Sequence, residues 1–260
     1  MDNVNRTLYI PLYGKSLVSS MGILLHDPKA EALWASQGFP LKGKSASKWL
    51  AYYMGMRSAV FDRWLTGRLA ENPGAAVLHL GCGLDSRVLR VKHDGHLWFD
   101  VDFPAVMETR SRHYEETEEN QMLWSDLREE KWLLEIPDGP VIVLMEGVSM
   151  YLRREELELL LSRLTGRFPK VELLMDCYTE FAAKASRYKN PIDDVGVTQV
   201  YGYDDPRILT DNNHLEYAGE RDMTPEDLIR QLPQNEQWIF RKLYAGGIAR
   251  KMYRLYEYRK

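Results

Sequence analysis

From residue 75 onward, short apolar runs alternate with longer segments of helical period. Val77–Leu80, Leu97–Val101, Gln121–Trp124, Val141–Met145 and Val171–Cys177 read as strands. The fourth, VIVLM, is apolar at every position, the character of a strand covered on both faces. Between them, Leu84–Val91, the stretch PAVMETRSRHYEE, Arg128–Leu134 and RREELELLLSRLTGRF read as helices. Pro104 stands in the first turn of one, where a missing N–H costs nothing, and Gly166 and Pro169 close the last. This alternation predicts a parallel, doubly wound sheet with right-handed crossovers.

The flanks follow a different pattern. Residues 1–72 read as largely helical, including SKWLAYYMGMRSAVFDRWLTGRLA, and are expected to cover the open end of the sheet. Residues 178–213, rich in Tyr, Asp, Asn and Pro, read as a helix and long loops. HLEYAGE reads as a sixth strand, and TPEDLIRQL as a helix with Thr224 as N-cap and Pro225 at its first position. KMYRLYEYR alternates as a terminal strand, expected to be antiparallel and at an edge. With no repeat, low-complexity tract or linker, residues 1–260 read as one domain: a helical cap over 1–72, a βαβ core over 73–177, and loops with terminal strands over 178–260.

Composition narrows the function classes. A chain of 260 residues, 45% hydrophobic and 28% charged, reads as an ordinary globular protein with a substantial core. Its net charge of -4 gives no basic field for nucleic acid or an anionic membrane. No apolar run reaches the roughly 20 residues of a membrane helix. The N-terminus lacks the pattern of a secretory signal. Two cysteines, Cys82 and Cys177, lack metal-ligand spacing and suit a reducing compartment, so a cytoplasmic location is expected and no metal.

In an open parallel sheet, ligands bind beyond the carboxyl ends of the strands. Strand one ends in Gly81-Cys82-Gly83, strand two in Asp100 and Asp102, and strand three in Ser125, Asp126 and Leu127. Strand four ends in Glu146 and Gly147, and strand five in Asp176 and Cys177. The glycine pair alone is weak evidence, since turns need glycine, and Asp126 also suits an N-cap. Together, the acids around one glycine turn suit a nucleoside-like ligand. A dinucleotide is the first rival, but Ser86 stands where its fingerprint wants Gly or Ala. Asp85, in the first turn of the helix, would repel a pyrophosphate. A ligand with a sulfonium and an amino group fits an acid-lined cleft better, which points to S-adenosylmethionine.

The blocks LHLGCGLDSRVLR, WFDVDFPAVMETR, SDLREEKW and LMEGVSMYL, in this order, resemble the leucine carboxyl methyltransferase family. Its bacterial branch of polyketide-tailoring O-methyltransferases is the nearest likeness. The likeness extends to IPLYGKS, HDPKA and MRSAVFD upstream and to YGYDDPR and LEYAGE downstream, so it spans nearly the whole chain. It implies a class I, Rossmann-like fold: a mostly parallel seven-stranded sheet with helices on both faces and an N-terminal helical lid. It also implies an S-adenosylmethionine-dependent O-methyltransferase. By position, Arg57 and Lys15 match cations for the methionyl carboxylate, and Gly81, with Cys82 and Gly83, the turn that passes the methionyl arm. Asp102 matches the ribose carboxylate, Asp126 and Leu127 the adenine contacts, and Glu146 the acid near the methionyl amine. Asp85 and Arg87 read as a structural pair bracing the loop.

The expected acceptor is a small-molecule carboxylate, or a phenolic hydroxyl, such as a polyketide's. The chain shows no insertion that would build a groove for a protein tail, which leaves a protein C-terminal carboxylate as the alternative within the fold. From other classes, the alternatives are an NAD-dependent oxidoreductase and a non-catalytic binder. A carboxylate, with a pKa of about 4, is ionised at pH 7 and needs no base, whereas a phenol, at about 10, wants one. No residue is nominated as catalytic. His79 reads as a core histidine inside strand one; His93, His96 and His113 as helix-end or surface residues; His26 and His214 as weak pocket candidates. Tyr13, Tyr151, Tyr201, Tyr203 and Arg207 are candidate acceptor contacts, though with 15 tyrosines many must be core-edge residues.

Overall fold

The computed structural model describes residues 8–38, 41–186, 200–211 and 213–260. Three helices come first: α1 (Tyr9–Ser20), α2 (Pro28–Ser36) and α3 (Lys48–Glu71). Helix α2 starts on Asp27, whose carboxylate accepts from the Ala30 N–H at 2.9 Å, with Pro28 at the first position. Helices α1 and α3 cross closely because glycine stands at both contact points. A Cβ on Gly14 would lie 2.7 Å from that of Met54, and one on Gly55 2.6 Å from Val18 Cγ2. That close crossing sets Lys15 and Arg57, one on each helix, at the same end of the sheet.

The core then alternates β1 (Ala76–Leu80), α4 (Arg87–Arg90), β2 (Trp98–Asp102), α5 (Pro104–Arg110), β3 (Asn120–Trp124), β4 (Val141–Met145), α6 (Arg154–Arg167) and β5 (Val171–Tyr178). After these come α7 (Glu180–Ser186), β6 (Glu216–Arg221), α8 (Glu226–Ile229), α9 (Gln234–Phe240), α10 (Gly247–Arg250) and β7 (Tyr253–Arg259). One seven-stranded sheet results, in the order β3-β2-β1-β4-β5-β7-β6. Strands β1 to β5 pair in parallel and β7 runs antiparallel to both neighbours. The pleat divides the core in two. Val77, Ile142, Leu144 and Leu174 face α3, while Leu78, Leu80, Val143, Met145 and Leu173 face α6.

Local readings shift in three places. The helix after the glycines is a single turn, Arg87–Arg90, held by ion pairs of its arginines. The helix expected from Thr224 starts at Glu226 with Pro225 as its cap, while the Thr224 N–H donates to Asp222. The last strand, β7, is interior: β6 covers it and takes the edge itself. Residues 187–199 of the expected loop segment lie outside the described residues. No helix among the described residues is long and apolar enough to cross a membrane.

Candidate active site

The strand order reverses between β1 and β4, and a cleft opens there beyond their carboxyl ends. Its floor is Gly81, Cys82 and Gly83. Gly81 takes φ +65°, and a Cβ there would meet Val148 Cγ2 at 2.4 Å, so both conformation and space exclude a side chain. Helix α1 closes one side with Leu12 and Lys15, and α3 another with Leu50, Met54 and Arg57. Met150, Tyr151, Tyr178 and Tyr253 complete the wall.

Charge in the cleft is dense and paired. Arg57 donates through Nε to Glu146 at 3.1 Å, and through Nη1 to Asp176 at 2.9 Å and the Tyr253 hydroxyl at 3.1 Å. Glu146 also accepts from Ser58 at 2.8 Å and from Arg87. Lys15 Nζ lies 3.2 Å from Asp85, which Arg87 and Arg90 also hold, at 3.3 and 2.6 Å. Burial alone would raise the pKa of Glu146. Arg87, Arg57 and Lys15 outweigh it and bring the carboxyl down to about 2. Burial pushes Asp176 up to about 6, in spite of Arg57, with the nearby Glu146 charge adding to the rise.

His79 faces the cleft as a neutral residue. Burial lowers its pKa, and both ring nitrogens are engaged, Nδ1 with Asp100 and Nε2 with Arg87, each at 3.2 Å. An arginine can only donate, so Nε2 is the acceptor and Nδ1 carries the proton. Cys82 is a buried thiol packed against the Met107 sulfur at 3.9 Å, and burial lifts its pKa far from reactivity.

The structure thus brings Lys15, Arg57, Gly81, Cys82, Gly83, Glu146 and Tyr151 around one cleft. Asp102 stands just behind the turn, accepting from the N–H groups of Gly83 and Phe103, each at 2.7 Å; burial pushes it up to about 6 against those two bonds. Asp126 and Leu127 do not line the cleft: Asp126 is salt-bridged to Arg128, and Leu127 packs into the core on the α6 side. The other acceptor candidates do not line the cleft. Tyr13 packs on Trp34 with centroids 5.0 Å apart, Tyr201 lies beyond the wall with its N–H on the Met150 carbonyl, and Tyr203 is buried with its hydroxyl on the Leu152 carbonyl. Arg207 is exposed on a 3-10 turn over Pro206–Leu209. Several wall residues escaped the sequence reading, among them Leu50, Met54, Met150, Tyr178 and Tyr253. Asp176 was noted at its strand end, but its grip on Arg57 depends on a partner 119 residues away.

The chemistry of the donors fits the methionyl end of S-adenosylmethionine. That end is a zwitterion, and the cleft offers cations from Lys15 and Arg57 beside the acids Glu146 and Asp85. At Gly147 a Cβ would stand 3.5 Å from the Arg57 guanidinium, so the absence of a side chain keeps that guanidinium approachable.

Comparison with known proteins agrees with this geometry. The model of the leucine carboxyl methyltransferase family matches residues 5–165. The tetracenomycin polyketide synthesis O-methyltransferase TcmP of Streptomyces glaucescens is 31% identical over 205 residues, covering 78% of this chain and 76% of that protein. The S-adenosyl-L-methionine-dependent methyltransferase dpfgK of Gibberella zeae is 32% identical over 182 residues, covering 64% of this chain and 61% of that one. Among solved structures, magnesium protoporphyrin IX methyltransferase of Synechocystis PCC 6803 superposes with a TM-score of 0.52. It does so at 14% identity, over 95% of this chain and 97% of that one, which is a likeness of fold.

Proposed function

The chain belongs to the leucine carboxyl methyltransferase family, S-adenosylmethionine-dependent enzymes, and from that premise we propose that it methylates the carboxylate of a small, largely apolar acceptor. The observation that carries this reading is the make-up of the cleft, whose lining combines paired, buried charges with apolar side chains that form a chamber. Leu50, Met54, Met150 and three tyrosines line that chamber. The cations of the cleft, Lys15 and Arg57, and the wholly buried Arg87 already face Asp85, Glu146 and Asp176.

Bound in the cleft, S-adenosylmethionine would supply an electrophilic methyl group, which the acceptor oxygen would take in line as neutral S-adenosylhomocysteine leaves. Arg57 and Lys15 would hold the methionyl carboxylate, Glu146 the amino group, and Asp102 the ribose hydroxyls. The chamber's task is then to exclude water and align an acceptor oxygen. An ionised carboxylate needs no base, and the neutral, doubly bonded His79 is not placed to act as one. A small acceptor is supported by the Streptomyces relative, named for polyketide synthesis. The dinucleotide alternative is not favoured, because the family match over residues 5–165 and both relatives are methyltransferases.

Two measurements test the reading. Calorimetry should show S-adenosylmethionine binding at tens of micromolar or tighter and no comparable binding of NAD. Tritium transfer from labelled cofactor should occur to an organic acid and yield a base-labile ester. Absence of cofactor binding would end the proposal, and label found only in base-stable ethers would move the acceptor to a hydroxyl.

Cofactor affinity should also depend on pH. With Asp102 titrating near 6, its carboxylate is ionised above that value and protonated below it. Only the ionised form offers both oxygens as acceptors to ribose hydroxyls. The apparent affinity should therefore be flat above pH 7 and fall about tenfold by pH 5, one proton competing with the ligand. Asp102→Asn should flatten most of that slope; a slope equally steep in the variant would assign it to another group.

A further inference from the structure

The family match ends at residue 165, yet part of the cleft wall comes from later in the chain, from β5 and β7. Tyr253, the first residue of β7, touches both the charged and the apolar lining of the cleft. Its hydroxyl accepts from Arg57 Nη1 at 3.1 Å and donates to Asp176, which itself holds the same Arg57 nitrogen at 2.9 Å. These three groups close a ring behind the guanidinium. The Tyr253 side chain meets Tyr178 edge to face, centroids 4.8 Å apart at 77°, and Tyr53 at 6.3 Å and 83°. Met150 sulfur lies 4.0 Å from the same hydroxyl.

Building on the methyltransferase reading, we propose that Tyr253 positions Arg57 through its hydroxyl and selects planar aromatic acceptors through its ring. A ring in the chamber would meet the edges and faces of Tyr253 and Tyr178 and the polarisable sulfurs of Met54 and Met150. Aromatic and thioether surfaces of this kind favour a flat π-system over an alkyl chain of equal area. The two functions reside on different atoms of one side chain, so they are separable.

The test uses S-adenosylhomocysteine titrated by calorimetry, then 2-naphthoate and decanoate titrated into the protein saturated with it. In the wild type, 2-naphthoate should bind at least fivefold more tightly than decanoate. Tyr253→Phe, which keeps the ring, should weaken S-adenosylhomocysteine about three- to tenfold and leave 2-naphthoate within twofold. Tyr253→Leu should weaken 2-naphthoate tenfold or more and leave decanoate within twofold. Equal losses of both acids in Tyr253→Leu, with no recovery in Tyr253→Phe, would reduce Tyr253 to a packing residue. Wild-type protein that prefers decanoate, or holds neither acid, would overturn the selection. Wild-type protein that fails to bind S-adenosylhomocysteine would overturn the methyltransferase reading instead.

Discussion

Arg57→Ala should weaken S-adenosylmethionine binding by roughly 30- to 150-fold, the equivalent of losing a charge-assisted pair worth about 2–3 kcal/mol. The same variant should also melt earlier. Arg57 is 3% exposed, and it neutralises two carboxylates that are themselves out of water. Glu146 retains Arg87 and Ser58 without it, but Asp176 keeps only the Gly147 N–H and Tyr253. Stripping one partner from a buried pair costs about 3–5 kcal/mol. The lower end is expected, because Asp176, already titrating near 6, can take up a proton in place of staying charged. The two losses can be separated. Adding Asp176→Asn to Arg57→Ala removes the orphaned charge, so the melting temperature should recover in part while cofactor affinity stays low. Arg57→Lys keeps the charge without the fork and should fall between wild type and Arg57→Ala in affinity. Cofactor affinity unchanged in Arg57→Ala would show that this guanidinium only braces the sheet.

That dual role explains what was and was not legible in the sequence. The parallel strands were, because the apolar runs of β1, β2, β4 and β5 are buried on both faces and that of β3, at the sheet edge, still buries Met122; so was the glycine turn, because no other residue type fits φ +65° against Val148. His79 read as a core residue from its place inside β1; it is buried and doubly bonded, though it also borders the cleft. The interior position of β7 was not legible. Alternation reports which face of a strand is buried and says nothing of whether one or two strands flank it. Leu127 gave an ambiguous signal, since an apolar residue after a strand serves either as a platform for a base or as core, and it packs with Trp132 and Leu133 in the core on the α6 side. Tyr253 was hidden for another reason: among 15 tyrosines, only its approach to a helix 196 residues earlier distinguishes it. Arg110 was hidden in the same way, as one basic residue at the end of an amphipathic helix.

Arg110→Met should cost about 3–5 kcal/mol of stability, enough to lower the melting temperature by roughly 10 °C in a domain of this size. Arg110 is wholly buried, with its guanidinium carbon 4.0 Å from the centroid of the Tyr114 ring. It donates to Asp100 through Nε at 3.1 Å and Nη2 at 2.5 Å, and through Nη1 to the carbonyls of Gly83 and Asp85 at 3.0 and 2.7 Å. One side chain therefore ties the end of β2 to the glycine turn. Methionine fills similar volume but leaves two buried carbonyls unpaired, and leaves Asp100 with only His79 and Trp98 as side-chain partners. Those carbonyls belong to the loop that carries Gly83, whose N–H in turn holds Asp102. A loosened turn should release that carboxylate, so cofactor affinity should fall several-fold at temperatures where the variant is still folded. Arg110→Lys restores the charge opposite Asp100 but presents a single ammonium where a fork spans three acceptors, so it should recover only part of either loss. A methionine variant that melts within 2 °C of the wild type would mean the turn is held by the sheet alone. If it melts early yet binds the cofactor normally, Arg110 supports the fold without shaping the site.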